Sequence, residues 1–233
     1  MFIRRMAVVL AAGLVAALCA GTTGASAAPA GGVCQLHGVA NLTPGLGAPP
    51  GGAFTYTFSG SLGKSQTGGC QSNVTGAPTA GDIEAGLTKQ FTVQLTKTSD
   101  GSKANLPVSY AEPKPSGSGS CAQSTTSGVA VVTWASGKHT VVSYDTNGAA
   151  AGVGLTGDVV QKVDLALVAS SVPAGYTGAP ATQSISTDEP SFPVGNQAAG
   201  PLAFTPTTQS QNCATVPVTS ANIDGLVAIG TPS

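Results

Sequence analysis

Two histidines, His37 and His139, and ten Asp and Glu residues are the groups on this 233-residue chain best suited to acid–base chemistry. A serine hydrolase needs an imidazole held between a hydroxyl nucleophile and an orienting carboxylate. His139 with Asp145 or Asp158 would supply the last two, yet no serine occupies the G-x-S-x-G turn that exposes a nucleophile above a sheet. His139 also follows the turn-like stretch Ala135-Ser136-Gly137-Lys138, where a half-exposed structural histidine is the simpler expectation. Glycoside hydrolysis needs two carboxyls flanking one bond. Asp82, Glu84, Asp158 and Asp164 form such a pair only if the fold brings distant residues together. A secreted hydrolase, for example a carbohydrate-active one, is therefore the alternative reading; the leading one is non-catalytic.

Motifs for cofactors fail on their surroundings. Gly152-Val153-Gly154-Leu155-Thr156-Gly157 matches G-x-G-x-x-G. That pattern holds a dinucleotide only between a strand and a helix, with an acid about twenty residues on. Here a strand-like run follows, and Tyr176-Thr177-Gly178 stand where the acid belongs, so a hairpin turn is expected. Gly63-Lys64-Ser65 would end a phosphate loop only if its first glycine stood at Phe58. Asp145-Thr146-Asn147-Gly148 lacks the later ligands of a calcium loop and reads as a turn. No cofactor and no metal are expected.

Flat aromatic rings bind sugars by stacking. Trp134 and Tyr144, with Tyr56, are the candidates, because the first two could share one hairpin and form a two-ring carbohydrate-binding platform. The competing role for Trp134 is to fill a core, as tryptophans do in β-sandwiches.

The opening residues set the compartment. Arg4 and Arg5 precede an apolar run from Met6 to Ala20, and Ala25-Ser26-Ala27 offers a small-x-small cleavage site. Residues 1–27 read as a signal peptide, and the run is too short for a comfortable membrane span. Its removal takes Cys19 and leaves Cys34, Cys70, Cys121 and Cys213. Four cysteines in an exported chain imply two disulfides with three possible connectivities. Local closure favours Cys34–Cys70 and Cys121–Cys213, worth about 4 and about 4.6 kcal/mol by loop entropy. Zinc is disfavoured, since no C-x-x-C pair exists.

Charged residues make up 8% of the chain, and the seven lysines left after the signal are scattered. Nucleic acid, which needs clustered cations, is excluded as a partner. No late apolar run offers a membrane anchor. With 41% hydrophobic residues and 32 glycines, the body affords a packed core with many turns.

Alternation of period two marks the elements. Ala53–Ser59 sets three aromatics on one face; Phe91, Val93 and Leu95 form a second such face, and Val163, Leu165 and Leu167 a third. Val129–Trp134 and His139–Tyr144 read as a hairpin, and Asn147-Gly148 as the next turn of a meander running to about residue 157. Weaker strands are expected at Val33–Ala40, Asn105–Tyr110, Pro201–Phe204 and Ala214–Val218. Ala80–Gln90 is the best helix candidate, weakened by Gly81 and Gly86. Residues 112–120 and 171–201, rich in Pro, Gly and Ser, read as surface loops. The expectation is an all-β antiparallel sandwich, Ig-like or related, forming one domain over 28–233.

Cys34-Gln35-Leu36-His37-Gly38-Val39-Ala40, Phe54-Thr55-Tyr56-Thr57-Phe58-Ser59-Gly60 and Thr133-Trp134-Ala135-Ser136-Gly137 resemble stretches of small exported β-sandwich proteins of actinobacteria. The resemblance implies export and a sandwich; that group carries no assigned activity, cofactor or site residue. The reading is a secreted binding or structural module acting on an extracellular protein or glycan.

Overall fold

The computed structural model describes residues 31–64, 69–149 and 152–230. The signal-peptide expectation for residues 1–27, Cys19 with it, and Ser65 lie outside these. Fifteen strands occur among the described residues, in chain order: β1 Gly31–Leu46, β2 Gly52–Leu62, β3 Gln71–Ser72, β4 Gly81–Ala85, β5 Thr88–Lys97, β6 Lys103–Ala111, β7 Ser116–Gly119, β8 Gln123–Trp134, β9 His139–Ala149, β10 Gly152–Val160, β11 Lys162–Leu167, β12 Tyr176–Thr177, β13 Thr182–Ser186, β14 Gln197–Pro206 and β15 Val218–Gly230. One turn of 3₁₀ helix, Ala169–Ser171, is the only helical element among the described residues.

The chain is all-β with antiparallel pairing, but the larger sheet is a barrel. Its strands run β1-β15-β14-β10-β9-β8-β4-β2, and β2 pairs back onto β1, so the wall closes. Between β2 and β8 the wall is filled by two short strands placed end to end: β4 pairs with Phe58–Leu62, and β7 with Gly52–Thr55. The expected open sandwich is corrected here. Closure removes the unpaired edges that an open sheet would expose.

Side-chain alternation fills the interior. Leu36, Ala40 and Leu42 of β1, Phe54 and Phe58 of β2, and Val132 of β8 all point inward and are buried. Gly38 and Gly60, cross-strand partners, leave the volume that the Phe58 ring occupies. A Cβ at Gly38 would stand 2.5 Å from the Phe58 ring, and one at Gly60 2.6 Å from the His37 carbonyl. An aromatic ring lying over paired glycines is a means of curving a sheet tightly while keeping it packed.

The second sheet, ordered β12-β5-β6-β11-β13, covers part of the barrel's outer wall. Val93, Leu95, Val108, Leu165 and Ile185 pack there against the outward-facing Val131 and Val141 of β8 and β9. This face gives the molecule a second apolar layer, separate from the barrel interior.

Both disulfides join the expected partners, Cys34–Cys70 and Cys121–Cys213. The first lies at the end of the barrel where β8 turns into β9. The second ties the β7–β8 turn to the β14–β15 connection at the opposite end. Several local expectations are corrected. Ser116–Gly119 is wall strand β7 rather than loop, and Thr182–Ser186 and the first residues of Gln197–Pro206 are strands within 171–201, expected to be a surface excursion; the rest of Gln197–Pro206 contains the strand expected at Pro201–Phe204. Ala80–Gln90 is not helical; it contains β4, a turn at Gly86 and the start of β5. Asn147 and Gly148 continue β9, and Gly152–Gly157 is strand β10 rather than a turn.

Candidate functional site

The barrel interior contains a cavity of about 130 Å³. Leu62, Val132, Val142, Ala198 and Ile229 line its deeper half. Below them the floor is closed by Trp134, whose ring stacks on Phe192 with centroids 5.0 Å apart and whose Nε1–H donates to Thr140 Oγ1 at 2.8 Å. At the opposite end Val153, Leu155, Phe204 and Ile223 line the cavity but are only half-buried. Inward residues that still meet solvent mark this end as the mouth. The β1–β2 and β14–β15 connections and the Cys121–Cys213 bridge surround it.

The lining carries no charged side chain among the described residues; its polar members are Tyr56, Ser124, Thr126, Tyr144 and Thr146. Four of these are joined. Tyr56 and Tyr144 share a hydrogen bond of 2.7 Å between their hydroxyls, Tyr56 and Thr126 one of 3.1 Å, and Thr126 and Thr146 one of 2.7 Å. Register explains the meeting. Tyr144 on β9 is flanked in the wall by Gly128 of β8 and Gly157 of β10, its cross-strand partners. A Cβ at Gly128 would stand 2.9 Å from the Tyr144 hydroxyl, so only glycine lets the phenol cross to β2. Tyr56 is fixed by its own N–H, which donates to the Pro115 carbonyl at 3.1 Å.

Burial raises both phenols above their ordinary pKa. For Tyr144 the neighbouring Tyr56 and the Glu112 carboxylate add to the effect of burial. Both stay protonated, so each carries one donor and acceptor capacity. A negative charge in this part of the cavity is disfavoured for the same reasons.

Glu112 sits where the chain crosses between the two sheets. Its Oε2 accepts the Leu87 N–H at 3.1 Å, and Oε1 is buried 3.5 Å from Lys89 Nζ without a hydrogen bond. Lys89 also pairs with Glu84. Burial pushes the Glu112 carboxyl above its ordinary value, against the lowering effect of Leu87 and Lys89.

The sequence candidates are dispersed over the fold, with Asp145 and Asp158 exposed on β9 and β10. Trp134 is 1% exposed beneath the cavity floor, and Tyr144 is enclosed within the barrel, so the pair forms no exposed stacking platform. Both histidines have carboxylate partners that spacing did not reveal. His37 Nδ1 pairs with Asp224 on the outer wall, and His139 Nδ1 lies 3.8 Å from Asp188, which also accepts the His139 N–H. In register, His37 stands between Asp224 of β15 and Ser61 of β2, all three facing outward. Asp82 pairs with Lys64, and Asp164 with Lys162 and Ser184. No group of three metal-ligating side chains occurs among the described residues, and no helix there is long and apolar enough to cross a membrane. Comparison with protein-family models, with curated proteins and with solved structures gave no match.

Proposed function

We propose that this is an exported binding module whose barrel interior receives a small, predominantly apolar molecule. The observation carrying this reading is the uncharged cavity that opens at one barrel end, with half-buried Leu155 and Phe204 at its mouth. Ligand sites are commonly apolar concavities with a few placed polar groups, often in barrel mouths. Exposing that much apolar lining to water costs free energy that a guest would recover. The two disulfides suit an oxidising compartment.

The test is fluorescence titration of the oxidised mature chain with naphthalene, a neutral apolar fluorophore, against Ala130→Leu. Ala130 lines the cavity, and the larger side chain fills it. Saturable binding that Ala130→Leu weakens by about tenfold or more supports the reading; equal binding by both proteins contradicts it.

A second reading, a surface hydrolase, is favoured by the row Ser61, His37, Asp224 across three adjacent strands. The Asp224 contact engages Nδ1 and leaves Nε2 as a base. Ester cleavage by the native chain that His37→Ala abolishes would support it; identical rates in both would remove it.

A further inference from the structure

The four hydroxyls in the barrel bring four protons but make only three bonds with one another. A chain of hydroxyls bonded in this way always has one proton left over, whichever way each bond points. Their hydrogen bonds to protein groups, among the described residues, are these three. The surplus donor therefore faces the cavity, lined otherwise by hydrocarbon and Ser124, and is met there by what enters through the mouth, water or a guest. A donor left unmatched in such surroundings costs free energy, so it calls for an acceptor brought in from outside.

Resting on the cavity as the binding site, we infer that the guest is a neutral, medium-chain molecule with an acceptor oxygen (ketone, ester or alcohol) held at the Tyr56–Tyr144–Thr126–Thr146 cluster, its hydrocarbon chain pointing toward the Trp134 floor. Placement sets the orientation. Thr126 and Thr146 lie toward the mouth, while Leu62, Val132 and Ile229 make the deeper end wholly apolar. Volume sets the size: 130 Å³ approaches a cavity of about 150 Å³ that takes benzene, and the open mouth adds room, hence a guest of about six to ten non-hydrogen atoms. Charge sets the class. Among the described residues no cation lines the cavity to meet a carboxylate, and Glu112 lies close enough to Tyr144 to oppose one.

The experiment is calorimetric titration of the oxidised mature chain with methyl octyl ketone, decane and, at about pH 8, decanoate. The same series is run on a variant lacking all four hydroxyls, Tyr56→Phe, Tyr144→Phe, Thr126→Val and Thr146→Val. The native chain should bind the ketone at least about tenfold more tightly than decanoate. In the variant, ketone affinity should fall by about fivefold or more while decane affinity stays within about twofold. Retained decane binding reports that the variant is folded. If it is lost, the native ketone-to-decanoate ratio decides alone. Decanoate binding as tightly as the ketone, or equal changes for ketone and decane, would overturn the oxygen anchor and leave the cavity reading standing. No binding of ketone or decane to the native chain would overturn the cavity reading itself.

Discussion

The hydroxyls of Tyr56 and Tyr144 meet at 2.7 Å across the barrel, although 88 residues separate them in the chain. The contact exists because Gly128 leaves the wall between them without a side chain. Tyr56 also holds Thr126, so it is the joint of the hydroxyl cluster. Tyr56→Phe removes two hydrogen bonds and keeps the ring, and should lower unfolding free energy by about 1–2 kcal/mol. Urea denaturation checks this, and unchanged stability would mean that water in the cavity replaces the tyrosine fully.

Trp134 closes the floor, stacked on Phe192 with its indole N–H satisfied by Thr140. Trp134→Ala should cost about 3–5 kcal/mol, as expected for emptying a large buried site. In the native chain, its fluorescence should resist quenching by acrylamide. Ready quenching would place the indole at a surface instead.

The Cys121–Cys213 bridge spans 92 residues and joins two connections at the barrel mouth. Replacing both cysteines with serine should lower stability by about 2–5 kcal/mol. Because the bridge lies at the mouth, hydrogen exchange in the 207–217 connection should rise more than in the floor strands. A uniform rise across all strands would contradict a local role.

Glu112 carries a pKa raised by burial, with Lys89, Glu84 and Tyr144 as its charged or titratable neighbours. For a carboxyl whose folded pKa exceeds its unfolded one, the fold binds the proton more tightly than the unfolded chain does. Its stabilising contribution is complete below the ordinary value of 4.5 and is lost as pH rises through the folded pKa. Glu112→Gln lacks this titration, so its stability relative to the native chain should rise as pH climbs above 4.5. A difference that is flat or falls with pH would contradict the assignment.

Local pattern made much of this fold legible. Ala53–Ser59 alternates aromatics with hydroxyl residues and is β2; Val129–Trp134 and His139–Tyr144 form the β8–β9 hairpin. Closure was not legible, because it depends on β15 pairing with β1 from the far end of the chain. Within β15 the inward positions include Ala221 and Gly225, so small residues dilute the alternation that marks a strand. The Ser-Gly run Ser116–Gly119 carries a linker's composition, yet its backbone fills a gap in the wall. The sequence marks Tyr144 as a ring, whereas in the fold its hydroxyl is the informative part. That role appears only once Gly128 and Gly157 are seen to flank it.

The most direct test of the barrel as a binding site is isotope-edited NMR of the chain with methyl octyl ketone, read as contacts between ligand protons and protein methyls. The account predicts contacts to the interior methyls of Leu36, Val132 and Ile229. Contacts confined to the exposed methyls of Val33, Val194, Val216 or Leu226 would place the ligand outside the barrel and contradict it.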